Sequence, residues 1–265
     1  MAVLTITTDF GITNGFVGVM KGVIYRIAPD VKIVEITQLV TPQNVREGAY
    51  AMWRAVPFFP PGSVHVGVVD PGVGTARRPI GARLGDQYFI VPDNGLLTPL
   101  ILDAQKENAV IEFVHLNNSK YWLPKVSHTF HGRDIFAPAG AYLAAGVQLS
   151  ELGKPITNPV LLDLPQPERT ENGWIAHVTI IDVFGNLTTD LPAEAIVEHM
   201  NSQVRIHGHE INGIISSYGH GEIGDLVAVV DSEYYIEVAV VNGSAAKKLE
   251  AKVGDIVEVI YKDKN

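Results

Sequence analysis

The sequence of 265 residues contains no cysteine. Disulfides, zinc–thiolate sites and thiol nucleophiles are thereby excluded. Basic residues are also scarce: 20 Lys and Arg stand against 29 Asp and Glu, a net charge of −9. Nucleic-acid binding needs clustered cations to meet phosphates, so no nucleic-acid partner is expected. Residues 1–8 lack a basic n-region followed by a long apolar core, and no apolar run approaches the length of a membrane span. A cytoplasmic protein without a membrane partner is the expectation. Two phosphate cradles are missing as well. Gly72-Val73-Gly74 has no third glycine, and no Gly-Lys-Ser/Thr occurs. Nor is there a Gly-x-Ser-x-Gly elbow of a serine hydrolase.

What is present is apolar. Hydrophobic residues make up 46% and charged residues 18%, enough for one large core or two ordinary ones. The chain is organised around Ser63 to Thr98. Two β-branched runs there stop at an Asp beside Pro and Gly: Val64–Val69 at Asp70, and Tyr88–Val91 at Pro92-Asp93-Asn94. Ala2 to Thr8 ends likewise, at Asp9. Continuous apolar runs of this length suit strands covered on both faces, and ligands bind where such strands end. The spacing predicts a helix over Gly15–Ala28 capped by Asn14, with Phe16, Val19, Met20, Val23, Ile24 and Ile27 on one stripe. Further helices are predicted over Val45–Val56, Pro99–Glu107 and Ile135–Ala145, with strands over Val31–Ile36 and Ala109–Leu116. Strand and helix alternate, so residues 1–150 form an α/β domain with a mostly parallel sheet covered by helices. Pro155, Pro159, Pro165 and Pro167 mark 151–167 as a linker. Short β runs at Trp174–Ile181, Gln203–Ile206, Leu226–Val230, Tyr235–Val241 and Val253–Tyr261 make 168–265 a smaller antiparallel, barrel-like β domain.

Several residues carry chemistry. Asp9, Asp70 and Asp93 read as carboxylates converging on a ligand, or as ordinary turn residues. One of Arg77 and Arg78 can fold back on Asp70 and orient a water, or both are solvated. His128, His131 and Asp134 have metal-ligand types, but Thr129-Phe130 and Gly132 fix no common face, which favours a structural or acid–base histidine over zinc. His65, inside a strand, reads as a core histidine. In Asp182-Val183-Phe184-Gly185-Asn186, Phe184 suits stacking on a flat ring and Asn186 suits an adenine edge, or the five residues form a hairpin turn.

Taken together, Thr8-Asp9-Phe10-Gly11, Phe59-Pro60-Pro61-Gly62-Ser63-Val64-His65, Val69-Asp70-Pro71-Gly72-Val73-Gly74-Thr75, Pro92-Asp93-Asn94-Gly95-Leu96-Leu97-Thr98, His131-Gly132-Arg133-Asp134-Ile135-Phe136-Ala137 and Phe184-Gly185-Asn186 resemble the adenosine-forming S-adenosyl-L-methionine hydrolases. These are also called SAM hydroxide adenosyltransferases, and they are relatives of the fluorinases and chlorinases. The likeness runs from about Thr5 to Ala246. It implies hydrolysis of S-adenosyl-L-methionine (SAM) to adenosine and methionine, with SAM as substrate and no cofactor or metal. It also implies a homotrimer with each site at a subunit interface. An Asp–Arg–His set that handles the water falls on Asp70, Arg77 and His131. In the halogenases, tyrosines match Asp70 and His131. Substrate contacts fall on Asp9 (ribose hydroxyls), Asp70, Val73, Asp182, Phe184 and Asn186, and on Ser232 and Glu233 at the methionine end. Asn242 is carried over too, although Val241-Asn242-Gly243-Ser244 departs from the family's Asn-Gly-Gly-Ser. Gln43 stands where the halogenases place a Trp over the ligand. A chloride-using halogenase and a non-catalytic nucleoside-binding protein are the alternatives.

Overall fold

The computed structural model describes residues 2–262; Met1 and 263–265, the outer ends of the two expected domains, lie outside the described residues. The chain forms two compact units, dividing between Leu162 and Asp163.

The first unit contains β1 (Val3–Thr8), α1 (Phe16–Ile27), β2 (Lys32–Thr37), α2 (Val45–Ala55), β3 (Val64–Val68), β4 (Pro79–Leu84), β5 (Gln87–Pro92), α3 (Thr98–Lys106), β6 (Ile111–His115), α4 (Ala137–Ala144) and β7 (Lys154–Ile156). Its sheet runs β2-β1-β3-β5-β4-β6-β7. The pairings β1–β2, β1–β3 and β3–β5 are parallel. Those from β5 outward through β4, β6 and β7 are antiparallel. β4 escapes the sequence reading because its apolar run is short and broken by Gly81 and Arg83. It forms a hairpin with β5 through Gly85-Asp86, and this turns half of the sheet antiparallel.

Side chains alternate across the sheet. Leu4, Ile6, Val64 and Val66 pack with Met20, Ile24, Ala137 and Ala139 of α1 and α4. On the opposite face Val69, Phe89 and Val91 pack with Met52, Leu100 and Ile101 of α2 and α3. Each aliphatic side chain so buried contributes about 1.5–3 kcal/mol. The predicted stripe of α1 is rotated slightly. Val17, Met20 and Ile24 are buried, whereas Phe16 and Val19 are 44% and 46% exposed. Asn14 does not cap α1; Gly15, at φ 68°, precedes it without a side-chain cap. Instead Asn44 caps α2, accepting from the Glu47 N–H at 3.1 Å and donating through Nδ2 to the Glu47 carboxylate at 3.1 Å. The Asn44 N–H itself goes to the Thr41 carbonyl at 2.9 Å, so the cap is one-sided rather than a reciprocal box.

Residues 151–167, expected as a Pro-rich linker, carry β7 and contacts to the first unit. Pro155 lies in β7, an edge strand with no outer neighbour needing its missing N–H. Beyond it, the chain finds side-chain partners: Val160 N–H donates to Asp93 Oδ1 at 2.7 Å, and Leu162 N–H to Thr98 Oγ1 at 2.8 Å.

The second unit contains β8 (Glu168–Thr170), β9 (Gly173–Ile181), β10 (Leu187–Pro192), β11 (Gln203–Ile206), β12 (His209–Asn212), β13 (Ile214–Ile215), β14 (Leu226–Val230), β15 (Tyr235–Val240), α5 (Ala245–Leu249) and β16 (Ile256–Ile260). The order is β12-β11-β16-β9-β10-β15-β14-β13, with β8 on β9. Every pairing is antiparallel except β13–β14. The sheet curls around Val178, Leu187, Val204, Ile236, Val238 and Val257. An α/β unit followed in the chain by a barrel-like antiparallel sheet is the fold class the sequence predicts.

His65 is a core histidine. Its Nδ1 lies 2.8 Å from Thr5 Oγ1 and its Nε2 lies 3.3 Å from Gln87 Oε1. Its ring stacks on Phe89 at 5.1 Å. Burial lowers its pKa to about 4. The unfolded chain therefore takes up this proton first, and stability falls as pH drops from about 6.5 towards 4, by about 3 kcal/mol from this residue. Urea unfolding of His65→Gln between pH 4 and 7 is expected to show a correspondingly flatter loss than the parent.

Candidate active site

β1, β3 and β5 are neighbours, so Asp9, Asp70 and Asp93 follow adjacent parallel strands at one edge of the sheet. Their surroundings differ. After Asp70 the chain turns twice. Val73 N–H donates to the Asp70 carbonyl at 3.2 Å, and Thr75 N–H to the Gly72 carbonyl at 3.2 Å. Thr75 Oγ1 donates to the same Gly72 carbonyl at 2.7 Å and accepts from Arg77 N–H at 3.3 Å. These turns bring Arg77 back over Asp70. Arg77 Nε donates to Asp70 Oδ1 at 3.0 Å and Nη2 donates to Oδ2, a bidentate pair. The two side chains are only 7% and 4% exposed. Arg77 Nη2 also lies 3.3 Å from His131 Nδ1. The guanidinium carbon sits 5.3 Å from the Phe136 ring centroid. Arg77 Nη1 is buried with no hydrogen-bond partner among the described residues.

Gly74 makes this arrangement possible. Its φ is 78°, and a Cβ there would lie 2.4 Å from the His128 carbonyl oxygen. The turn after β3 thus rests directly on the segment leading to His131. That segment runs into a π-helical turn, Gly132–Phe136, before α4. Sequence periodicity gives no sign of such a widened turn, which recurs at functional sites. Burial and then the Arg77 charge lower the His131 pKa, against the pull of Asp70 and Asp134. Both effects favour the neutral imidazole. Burial pushes the Asp70 carboxyl upward, and Arg77 opposes that shift.

Asp9 accepts from Gln43 N–H at 2.7 Å. Gln43 has φ 68°. The 38–43 loop begins at buried Gln38, which accepts from Thr8 Oγ1 at 2.6 Å and donates to the Ile6 carbonyl at 3.1 Å. This loop is therefore anchored at both ends on the strand that carries Asp9. Val73 lies half-buried in the turn above Asp70. Asp93 serves the scaffold: it accepts from Arg78 Nε at 2.8 Å and from Val160 N–H. Asn94 Nδ2 donates to the Val69 carbonyl at 2.8 Å, fixing the residue just before Asp70. Asp134, wholly buried, accepts from Arg133 Nε at 2.6 Å and from Ser127 N–H and Oγ at 2.8 and 2.6 Å. It faces Ser127 and Arg133 rather than completing a donor set with His128 and His131.

In the second unit Asp182 closes the β9–β10 hairpin. Its Oδ1 accepts from the N–H groups of Phe184 and Asn186 at 2.9 and 2.8 Å, and Oδ2 accepts from Asn186 Nδ2 at 3.0 Å. Gly185, at φ 85°, lies so close to Ser244 that a Cβ would sit 2.0 Å from Ser244 Oγ. The hairpin tip therefore touches the Asn242–Ser244 turn, and Phe184 stands 72% exposed beside it. Asp231 shapes the Ser232-Glu233 turn, accepting from Glu233 N–H at 3.0 Å and Tyr235 N–H at 2.8 Å. Sequence reasoning missed the network behind this turn. Buried Glu237 accepts from Tyr218 OH at 2.6 Å and Thr188 Oγ1 at 3.3 Å. Burial raises its pKa, and Asp231 and Asp182 add to the rise. Only a Glu at a core-facing strand position marks it in the sequence.

An α/β unit that brings a buried Asp70–Arg77 ion pair against a partly buried His131, followed in the chain by a barrel-like β unit, defines a two-unit protein. The SAM hydroxide adenosyltransferase N-terminal domain matches residues 4–153 and the corresponding C-terminal domain matches residues 176–258. This chain belongs to that family. It is 40% identical to the (R)-S-adenosyl-L-methionine hydrolase of Salinispora tropica over 97% of each chain. It is 29% identical to the fluorinase of an Actinoplanes species, over 89% of this chain and 90% of the relative. The crystal structure of an uncharacterized conserved protein from Thermotoga maritima superposes with a TM-score of 0.89 at 34% identity, over 98% of this chain and 100% of that one.

Arg77 holds the His131 pKa down through its charge. Arg77→Gln is therefore expected to raise it, read from the His131 ring resonance in an NMR pH titration. An unchanged midpoint would show that the guanidinium is not felt at the imidazole.

Proposed function

We propose that this protein hydrolyses SAM to adenosine and L-methionine, on the (R) sulfonium epimer that its relatives' name specifies. Water attacks the ribose C5′ in line with sulfur. The C5′–O bond forms while the C5′–S bond breaks, and its electron pair stays on a neutral thioether that needs no acid. The difficulty is the nucleophile, since free water has a pKa of about 15.7.

The observation that carries this reading is the Arg77 guanidinium. Two of its nitrogens are engaged by Asp70, while buried Nη1 has no partner among the described residues. A buried donor left unpaired costs about 1–3 kcal/mol, which an acceptor oxygen recovers. In this proposal that oxygen is the attacking water. Asp70 fixes the guanidinium, and neutral His131 takes the proton. Asp9 holds the ribose, and Val73 lines the pocket. Phe184 and Asn186 receive the adenine on the hairpin that Asp182 closes. Ser232 and Glu233 meet the methionine end, and Asn242 contributes through its backbone. A halide in place of water would face the Asp70 carboxylate, which repels an anion.

The assembly proposed is a homotrimer, each site pairing the first unit of one subunit with the second unit of its neighbour. Support comes from the resemblance and from the candidate contacts falling in both units. Light scattering gives the subunit number. Co-expression of His131→Ala with Asp182→Ala separates shared from self-contained sites. Shared sites recover activity in about a quarter of positions after random mixing. Self-contained sites recover none.

Two outcomes test the chemistry. Asp70→Ala, Arg77→Ala and His131→Ala are each expected to lower kcat by about 10²-fold or more with a smaller change in KM. Products are identified by liquid chromatography with mass detection on each sulfonium epimer, with and without chloride. A 5′-chloro product, or parent-like kcat in all three variants, would overturn the assignment. In the parent, activity is lost as pH falls through the His131 pKa. Because that pKa is lowered, the acid limb of kcat/KM is expected below 6.5.

A further inference from the structure

A cavity of about 980 Å³ opens on the first unit between α1, the irregular stretch before His131, and α4. Arg26, Lys120, Lys125 and Arg133 line it, with Trp122 and Tyr142. In a chain of net charge −9 this is a concentration of cations, and Asp134 is the one carboxylate among the lining residues. Its charge is already met by Arg133 and by Ser127. Arg26 and Lys125 are exposed and have no ion-pair or hydrogen-bond partner among the described residues. Lys120 Nζ reaches only the Tyr121 hydroxyl, at 3.5 Å, and the face of that ring, at 5.1 Å. Like charges held around one concavity repel unless an anion joins them, and a walled cleft focuses their field.

The volume lies in the range of small-molecule pockets, and the lining mixes aromatic surface with a few charged groups. Guanidinium groups match phosphate oxygens bidentately, while lysines act as point charges. Trp122 and Tyr142 give the lining aromatic surface, which suits a flat group. We infer that this groove binds an organic phosphate, with phosphate oxygens on Arg26, Lys120 and Lys125 and a ring against Trp122. The groove shares Ser127, Arg133 and Asp134 with the stretch that carries His131, so it stands behind the trio rather than within it. The binding is independent of the hydrolase reading, and its failure leaves that reading untouched.

Uridine triphosphate is the probe, because it lacks the adenine that the candidate active site is proposed to hold. Calorimetric titration of the full chain is expected to show binding that weakens with added salt. Inorganic tripolyphosphate is expected to bind at least about tenfold more weakly, and uridine still more weakly. Arg26→Glu with Lys125→Glu is expected to raise Kd at least about tenfold. Lys247→Glu, the same kind of charge change in the second unit, leaves Kd unchanged. Quenching of tryptophan fluorescence by the probe is expected to disappear in Trp122→Phe. Absence of binding, or binding indifferent to the double substitution, would overturn the proposal. Equal affinity for tripolyphosphate would overturn the organic part of the ligand.

Discussion

The ion pair between Arg77 and Asp70 is the constraint on which the site depends. Both side chains are almost wholly buried. Desolvating two charges costs several kcal/mol each unless the geometry is good and the remaining donors and acceptors are met. The chain therefore invests much local structure in that geometry. Asn94 ties the residue before Asp70, Thr75 braces the turn, Phe136 supports the guanidinium, and Gly74 lets the turn rest on the His128 carbonyl. Removing one partner would leave the other charge buried alone, which is worse than removing both. Arg77 is thus fixed before any ligand arrives, as electrostatic preorganisation requires.

The legible parts of this fold are those where apolar periodicity speaks for itself. The runs ending at Asp9, Asp70 and Asp93 mark three parallel strands; alternation with helices accounts for β1 and β3, whereas β5 reaches β3 through the turn after Asp70 and the strand β4. β4 and β10 are different. Each is broken by Gly, Arg or Asp, and hydrogen bonding to neighbours, not side-chain pattern, makes it a strand. The same holds for 151–167, where prolines read as a linker but Asp93, Arg78 and Thr98 supply tertiary partners. Tertiary contacts decide such segments, and a one-dimensional pattern carries none of them.

The site divides similarly. Asp70 and Arg77 are visible as a strand-end carboxylate and a cation seven residues on. That Arg77, not Arg78, folds back is settled by turn geometry: Arg78 goes to Asp93 and Asn158 instead. His131 is assigned by family likeness, and its neutrality comes from burial and from Arg77, neither of which is local in sequence. Asp182 meets its turn reading, and that does not exclude the ligand-site one. It makes the hairpin, and in doing so presents Phe184 outward beside Asn186. A turn residue and a ligand-site residue need not be alternatives, because a turn can present its neighbours outward.

Charge conservation then shows why a neutral imidazole matters in the proposed reaction. Asp70 and Arg77 cancel, and His131 adds no charge, so the trio is electrically balanced while the substrate brings one positive charge on sulfur. The C5′–S bond breaks to leave a neutral thioether, and the attacking water gives up a proton. If that proton goes to His131, the positive charge has moved from sulfur to the imidazole, where Asp70 favours it. A histidine already protonated would add a net positive charge beside the sulfonium and offer no place for the proton. In the proposed reaction, burial and Arg77, which hold the His131 pKa down, favour the form that can accept the proton. If His131 takes the proton, it must pass that proton to solvent before it can act as base again.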